Sequence, residues 1–179
     1  MITDRAAVLD TCVLINLLAT DRIAEIVQAI APTCFVCSAV CGESLYLRPH
    51  EPDAKPEPVR LDPLLTSGVL TICGIEGTAQ EELYVKYALE LDDGEAMSLA
   101  IAQARNFALA TDERKARRVI RESRLQVRVI STPEVIRAWA RGKARAELAT
   151  VLRTIEARAR FRPSSADPLE AWWCGLVDE

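Results

Sequence analysis

Short, continuously apolar runs alternate along this chain with longer stretches in which apolar residues recur every three or four positions. Residues 6–10 (AAVLD), 33–36 (TCFV), 69–75 (VLTICGI), 107–111 (FALAT) and 127–130 (VRVI) belong to the first class. Continuous rather than alternating apolar runs predict strands buried on both faces of a parallel sheet. Helices are expected between them. Residues 11–20 follow an N-cap at Thr11, and residues 21–30 place Ile23, Ile26, Val27 and Ile30 on one face. Residues 38–47 start at Ser38, residues 80–91 stand behind a Thr78–Glu81 capping box, and residues 95–105 and 112–124 complete the set. Thr132 as N-cap and Pro133 at the first helical position open a helical region that runs to residue 162. Residues 163–168 (PSSADP) break it and LEAWWCGLV closes the chain. Residues 48–63 hold five prolines and many charges, the composition of an exposed loop.

The alternation of strand and helix predicts an α/β fold with a parallel sheet covered on both faces. Residues 1–135 read as one domain, and residues 136–179 as a helical extension packed on it. At 179 residues and 50% hydrophobic, the chain can bury a substantial core. No apolar run reaches the length of a membrane span, and the first ten residues lack the pattern of a signal peptide. A cytoplasmic protein is the expectation.

Charge is segregated. Residues 1–112 carry 7 Lys and Arg against 17 Asp and Glu, whereas residues 113–162 carry 15 against 5. An acidic site beside a basic surface is one reading, and such a surface suits nucleic-acid phosphates. A solvated Arg-rich helix face is the other. Six cysteines include the run Cys34-x2-Cys37-x3-Cys41. A structural zinc site usually needs a second ligand pair, and there is none, so buried thiols are expected.

Four carboxylates stand at the edges of the apolar runs: Asp10, Glu43, Glu95 and Asp112. A strand that ends in a carboxylate delivers it to the rim where α/β folds bind ligands. Several such groups at one rim repel one another unless a divalent cation lies between them. Each also has an ordinary reading. Asp10 and Asp112 can be helix N-terminal charges or caps, and Asp92 with Glu95 can form a capping box. Glu43, about a turn into its expected helix among apolar residues, is harder to place on a surface.

Taken in order, these positions resemble the PIN-domain nucleases, including the VapC-like toxins. Asp10-Thr11 before VLINLL matches the first motif, with Cys12 where Asn or Ser is usual. Glu43 falls at the second, Gly94-Glu95-Ala96 at the third, and Thr111-Asp112 before ERKARR at the fourth. The resemblance covers about residues 4–135. It implies a three-layer α/β/α sandwich with a short parallel sheet, and Mg²⁺- or Mn²⁺-dependent endoribonuclease activity. It implies RNA as substrate and, for a toxin, an antitoxin protein partner; a homodimer is also in keeping with the family. Oxygen ligands independently suit Mg²⁺ or Mn²⁺ over zinc.

In this reading Asp10 and Asp112 bind the principal metal, while Glu43 and Glu95 hold it, hold a second ion or orient the water. Asp93 and Glu113 are lesser candidates, and Thr11, Asn16 and Thr111 would orient the carboxylates through hydrogen bonds. Arg114, Lys115, Arg117 and Arg118 would hold the RNA backbone. His50 is the sole histidine, which removes a histidine-pair mechanism. The competing reading is a PIN-like RNA-binding or assembly module without catalysis. Haloacid-dehalogenase phosphatases need a second Asp where Cys12 stands, and response-regulator receivers need a late Lys that VRVISTPE lacks. Trp172, Trp173, Leu176 and Val177 are expected to pack on the domain rather than form an exposed patch.

Overall fold

Ala6–Leu9 (β1) carries no polar side chain and is buried along its whole length. It occupies the centre of a five-stranded, all-parallel sheet. Thr33–Cys37 (β2) and Thr71–Cys73 (β5) lie on one side of it. Ala108–Ala110 (β6) and Val129–Ile130 (β7) lie on the other, giving the order β5-β2-β1-β6-β7. The five expected strands are present, most of them trimmed by a residue or more at their ends. The computed structural model describes residues 2, 5–49, 51 and 54–178, and His50 lies outside the described residues.

Helices cover both faces. Asp93–Arg105 (α6) lies across β1, β2 and β6 through a surface of small residues and Leu99. Ser38–Gly42 (α3), Thr78–Ala88 (α5) and Arg114–Glu122 (α7) pack against α6, and the short helix Asp62–Thr66 (α4) precedes β5. On the other face Thr11–Leu18 (α1), Ile23–Ile26 (α2), Thr132–Trp139 (α8) and Arg145–Ala159 (α9) pack together, with Glu170–Val177 (α10) against α9. The chain therefore folds as a three-layer α/β/α sandwich. Among the described residues no helix is long and apolar enough to cross a membrane.

Several boundaries differ from those expected. The N-cap of α1 is Asp10, not Thr11. Ser131 rather than Thr132 caps α8, in a full capping box with Glu134. Gly77, at φ +74°, stands before α5, and Thr78 makes no cap hydrogen bond. The expected helix 38–47 stops at Gly42, because the next residues alternate: Ser44 and Tyr46 are exposed while Leu45 and Leu47 are buried. That period of two belongs to a strand, and Tyr46–Leu47 (β3) pairs antiparallel with Glu57–Pro58 (β4). The region 133–162 is two helices, parted at Gly142, where φ is +80°. Trp173 is fully buried and its indole N–H donates to Glu156 at 2.8 Å; Leu176 is buried too, while Trp172 and Val177 pack against the core only in part.

The three clustered cysteines do not converge. Cys34 and Cys37 are three apart on a strand and so face opposite ways: Cys34 donates to the Val27 carbonyl and Cys37 to the Gly94 carbonyl. All six cysteines are free thiols.

Arg48 and Glu57, in the Pro-rich segment, are tied to the body of the domain. Arg158 of α9 is 5% exposed. Its guanidinium donates to Glu57 at 2.5 Å, to Asp21 at 3.0 Å and to the carbonyls of Ala19 and Arg48. One cation thus joins the end of α1, the β3–β4 ribbon and α9. Charge-assisted hydrogen bonds are worth about 1.5–3 kcal/mol each, discounted here because both carboxylates are half exposed. Arg158→Met is expected to cost about 2–4 kcal/mol and lower the melting temperature by about 10 °C, read by circular dichroism. A loss under about 1 kcal/mol would show that the segment is not held by this residue.

Candidate metal centre

Consecutive sheet connections leave β1 in opposite directions, toward β2 on one side and, later, toward β6 on the other. The crevice between the carboxyl ends of β1 and β6 is therefore the topological switch point, where open α/β sheets bind ligands. Asp10 follows β1 and its backbone N–H donates to the Ala110 carbonyl at 3.0 Å. Thr111 and Asp112 follow β6 at the same level.

Asp10 is 2% exposed. It accepts hydrogen bonds from the Thr11 N–H at 2.9 Å and the Thr111 hydroxyl at 2.7 Å. Burial nevertheless pushes its pKa above the ordinary range, with a further push from the charge of Asp92. Glu43 extends from the end of α3, and its Oε2 accepts from the Thr11 hydroxyl at 2.9 Å. Its Oε1 lies so close to Gly94 that a Cβ there would meet it at 2.6 Å. Glycine in the first turn of α6 thus admits the Glu43 carboxylate to the rim.

Glu95 and Asp92 form the capping box of α6: Asp92 accepts from the Glu95 N–H at 2.9 Å and Glu95 from the Asp92 N–H at 3.3 Å. Burial, then the charge of Asp92, raises the Glu95 pKa to about 7. A cavity of about 280 Å³ is lined by Asp10, Glu43, Asp92, Glu95 and Glu113, with Thr11, Cys12 and Ile15, and by no Lys or Arg.

Asp112 stands beside this cup but faces away from it. It accepts from the Thr132 hydroxyl at 2.5 Å, the Thr132 N–H at 3.0 Å and Asn16 at 3.2 Å, and it pairs with Arg117 at 3.4 Å. Burial raises its pKa, opposed by the Thr132 hydrogen bonds and by Arg117. Cys12 bridges the two aspartates: its thiol donates to Asp10 Oδ2 at 3.6 Å, and the Asp112 N–H donates to its sulfur at 3.2 Å. Burial, together with the charges of Asp10 and Asp112, holds it firmly protonated.

A family model described as a PIN domain, DUF3368, matches residues 6–166. The chain belongs to the PIN-domain family. No curated protein and no solved structure matches it. PIN domains are nuclease-related and typically use divalent metal ions. Among the described residues of this PIN domain no three carboxylate, imidazole or thiol groups close into a metal cage. The donor chemistry of the cup nonetheless fits a hard cation. It offers carboxylate oxygens without a neutralising side chain, and Asp10 and Glu95, pushed up by burial and then by the charge of Asp92, need countercharge.

Of the sequence-derived candidates, Asp10, Glu43, Glu95 and Glu113 line the cup. Thr11, Thr111 and Asn16 each hydrogen-bond a different carboxylate, those of Glu43, Asp10 and Asp112. Asp93 does not line it, and its carboxylate accepts from the Tyr84 hydroxyl at 3.1 Å. Asp92 does line it; the capping-box pattern was the signal, but it points equally to an ordinary helix start. Arg117 turns inward, donating to the Thr111 carbonyl at 2.8 Å as well as pairing with Asp112. Arg118 pairs with Glu90 and Glu122. Arg114 and Lys115 are exposed.

A raised carboxyl pKa means that the folded state holds its proton more tightly than the unfolded chain. Stability then falls as pH rises between the unfolded value, near 4.5, and the folded value of about 7. Glu95→Gln keeps the capping box and removes the charge. In EDTA at pH 8 it is expected to raise the melting temperature by about 2–4 °C, with little change at pH 4.5. An unchanged or lower melting temperature at pH 8 would contradict a destabilising charge at this position.

Proposed function

We propose that this PIN domain is a metal-dependent endoribonuclease that hydrolyses RNA phosphodiester bonds. The observation that carries the reading is the five-carboxylate cup at the β1–β6 switch point, lined by no cationic side chain. Asp10, Glu43 and Glu95, assisted by Asp92 or Glu113, would hold Mg²⁺ or Mn²⁺. When bound, the ion supplies an activated water and charge neutralisation at the phosphate. Asp10 is already oriented by Thr111 and the α1 backbone, and Glu43 by Thr11, and the carboxylates would draw together around the ion as it binds. Glu95, with a pKa of about 7, is placed to exchange a proton near neutral pH while the cup is free of cation. Asp112 would support the site indirectly, fixing Thr132, Asn16 and Arg117 behind Cys12. It serves as a positioning residue rather than a ligand in this arrangement.

Asp10→Asn and Glu43→Gln are expected to reduce Mn²⁺-dependent RNA cleavage by at least about 100-fold with circular dichroism unchanged. Mn²⁺ should raise the melting temperature of the wild type and not that of Asp10→Asn, because only the folded site binds the ion. Full cleavage by both variants would overturn the assignment; ion binding and RNA binding without cleavage in the wild type would favour a binding module.

Gly94→Ala offers a separate check on Glu43. Alanine suits a helix better than glycine by about 1 kcal/mol, but its methyl group would displace the Glu43 carboxylate. Cleavage should fall about tenfold or more at undiminished thermal stability. Wild-type cleavage by Gly94→Ala would remove Glu43 from the site.

A further inference from the structure

Beside the acidic cup the surface changes sign abruptly. Glu113 lines the cup, whereas its neighbours Asp112 and Arg114 line a cleft of about 720 Å³ between α7 and residues 161–168. That cleft shares Arg117, Asp167 and Pro168 with a second hollow of about 830 Å³ between α8 and residues 167–169. The two make one trough leading away from the cup.

The cations of this trough divide into two sets. Arg117, Arg118 and Arg162 are spent on Asp112, Glu90 and Asp178. The far hollow also holds two acids, Glu134 and Asp167, which accept from the Ser131 and Leu169 N–H groups and are outnumbered there by Arg117, Arg128, Arg137 and Arg141. Among the described residues Arg114, Arg121, Arg128, Arg137 and Arg141 have no carboxylate partner, and Arg137 lies over the Trp172 ring. Phe161 adds an aromatic face to the wall.

We propose that this trough is the track for a single strand of RNA extending from the scissile phosphate, and that Arg128, Arg137 and Arg141 grip it at the far end. The proposal rests on the ribonuclease reading of the cup. A concave row of guanidinium groups without counter-ions, with an aromatic wall and an outlet at the carboxylates, fits a phosphate backbone. An acidic protein segment would satisfy the charge but has no need of the continuity with the cup. The track differs from the outer face of α7, because Lys115 lines neither hollow.

The test uses the full chain in EDTA and a short fluorescein-labelled single-stranded RNA, followed by anisotropy across a salt series. Arg128→Glu/Arg141→Glu changes two exposed side chains and leaves Arg137 on Trp172. It is expected to weaken binding about 20-fold or more. The slope of log affinity against log salt should drop by about 1.4, since each phosphate contact on a single strand contributes about 0.7. Lys55→Glu/Lys86→Glu, with the same change in net charge elsewhere, should lose under about threefold. Mn²⁺-dependent hydrolysis of bis(p-nitrophenyl) phosphate, too small to reach the far hollow, should be equal in all three proteins. Equal RNA affinity in Arg128→Glu/Arg141→Glu and wild type, or tighter cleft-dependent binding of polyglutamate than of RNA, overturns the track. Absent hydrolysis in the wild type with cleft-dependent RNA binding intact sinks the ribonuclease reading and leaves the track standing.

Discussion

The crowding of carboxylates at one end of β1 is the constraint around which this structure is arranged. Asp10 and Glu95 are desolvated and both face the charge of Asp92, so the ionised form of each is harder to sustain. Stability is given up at that rim. The surroundings limit the cost with neutral donors: Thr111 and the α1 backbone serve Asp10, Thr11 serves Glu43, and the Asp92 backbone serves Glu95. None of these donors cancels the charge. A lysine or arginine in the cup would do so and would leave nothing for a cation to bind, so the absence of one from its lining is the feature that separates a binding site from an ion-pair network.

Cys12 shows how a departure from the usual family residue is absorbed. Where the motif has Asn or Ser, the larger sulfur spans from Asp10 to the Asp112 backbone at 3.6 and 3.2 Å. Burial, with the neighbouring aspartates, keeps the thiol protonated, so it acts as a weak donor and a spacer. Asp112 is then free to face Thr132 and Arg117. The two aspartates that close adjacent strands thereby come to different environments, one within the cup and one on the basic side.

The sheet was legible in the sequence because its strands carry short apolar runs, continuous in β1 and β6, which are buried along their whole length. The region after Ser38 was not, because SLYL supports a helical period as readily as a strand when only four residues are available. Its alternation was visible only once the burial of Leu45 and Leu47 was known. The carboxylates at the strand ends were legible for the same reason as the strands. What sequence could not supply was direction: Asp112 and Asp10 follow neighbouring strands at the same level yet turn to opposite sides of Cys12, and Arg117, one of five basic residues on α7, turns inward. Arg128 precedes β7, Arg137 lies in α8 and Arg141 follows it, and only tertiary packing gathers these three over fourteen positions.

Asp92 and Glu95 resolve an ambiguity that looked like a choice. A capping box explains both residues as a helix start, and a metal site explains both as ligands. The geometry makes the two accounts compatible. Each carboxylate uses one oxygen on a backbone N–H, Asp92 Oδ1 and Glu95 Oε2, and both residues still line the cup. The cap fixes the side chains before any cation arrives, which lowers the cost of ordering them on binding. It also explains how Glu95 can be held as a desolvated acid at all: the start of α6 ties it by its own backbone. Capping here is the means by which the local sequence aims two charges at a place where charge alone would keep them apart.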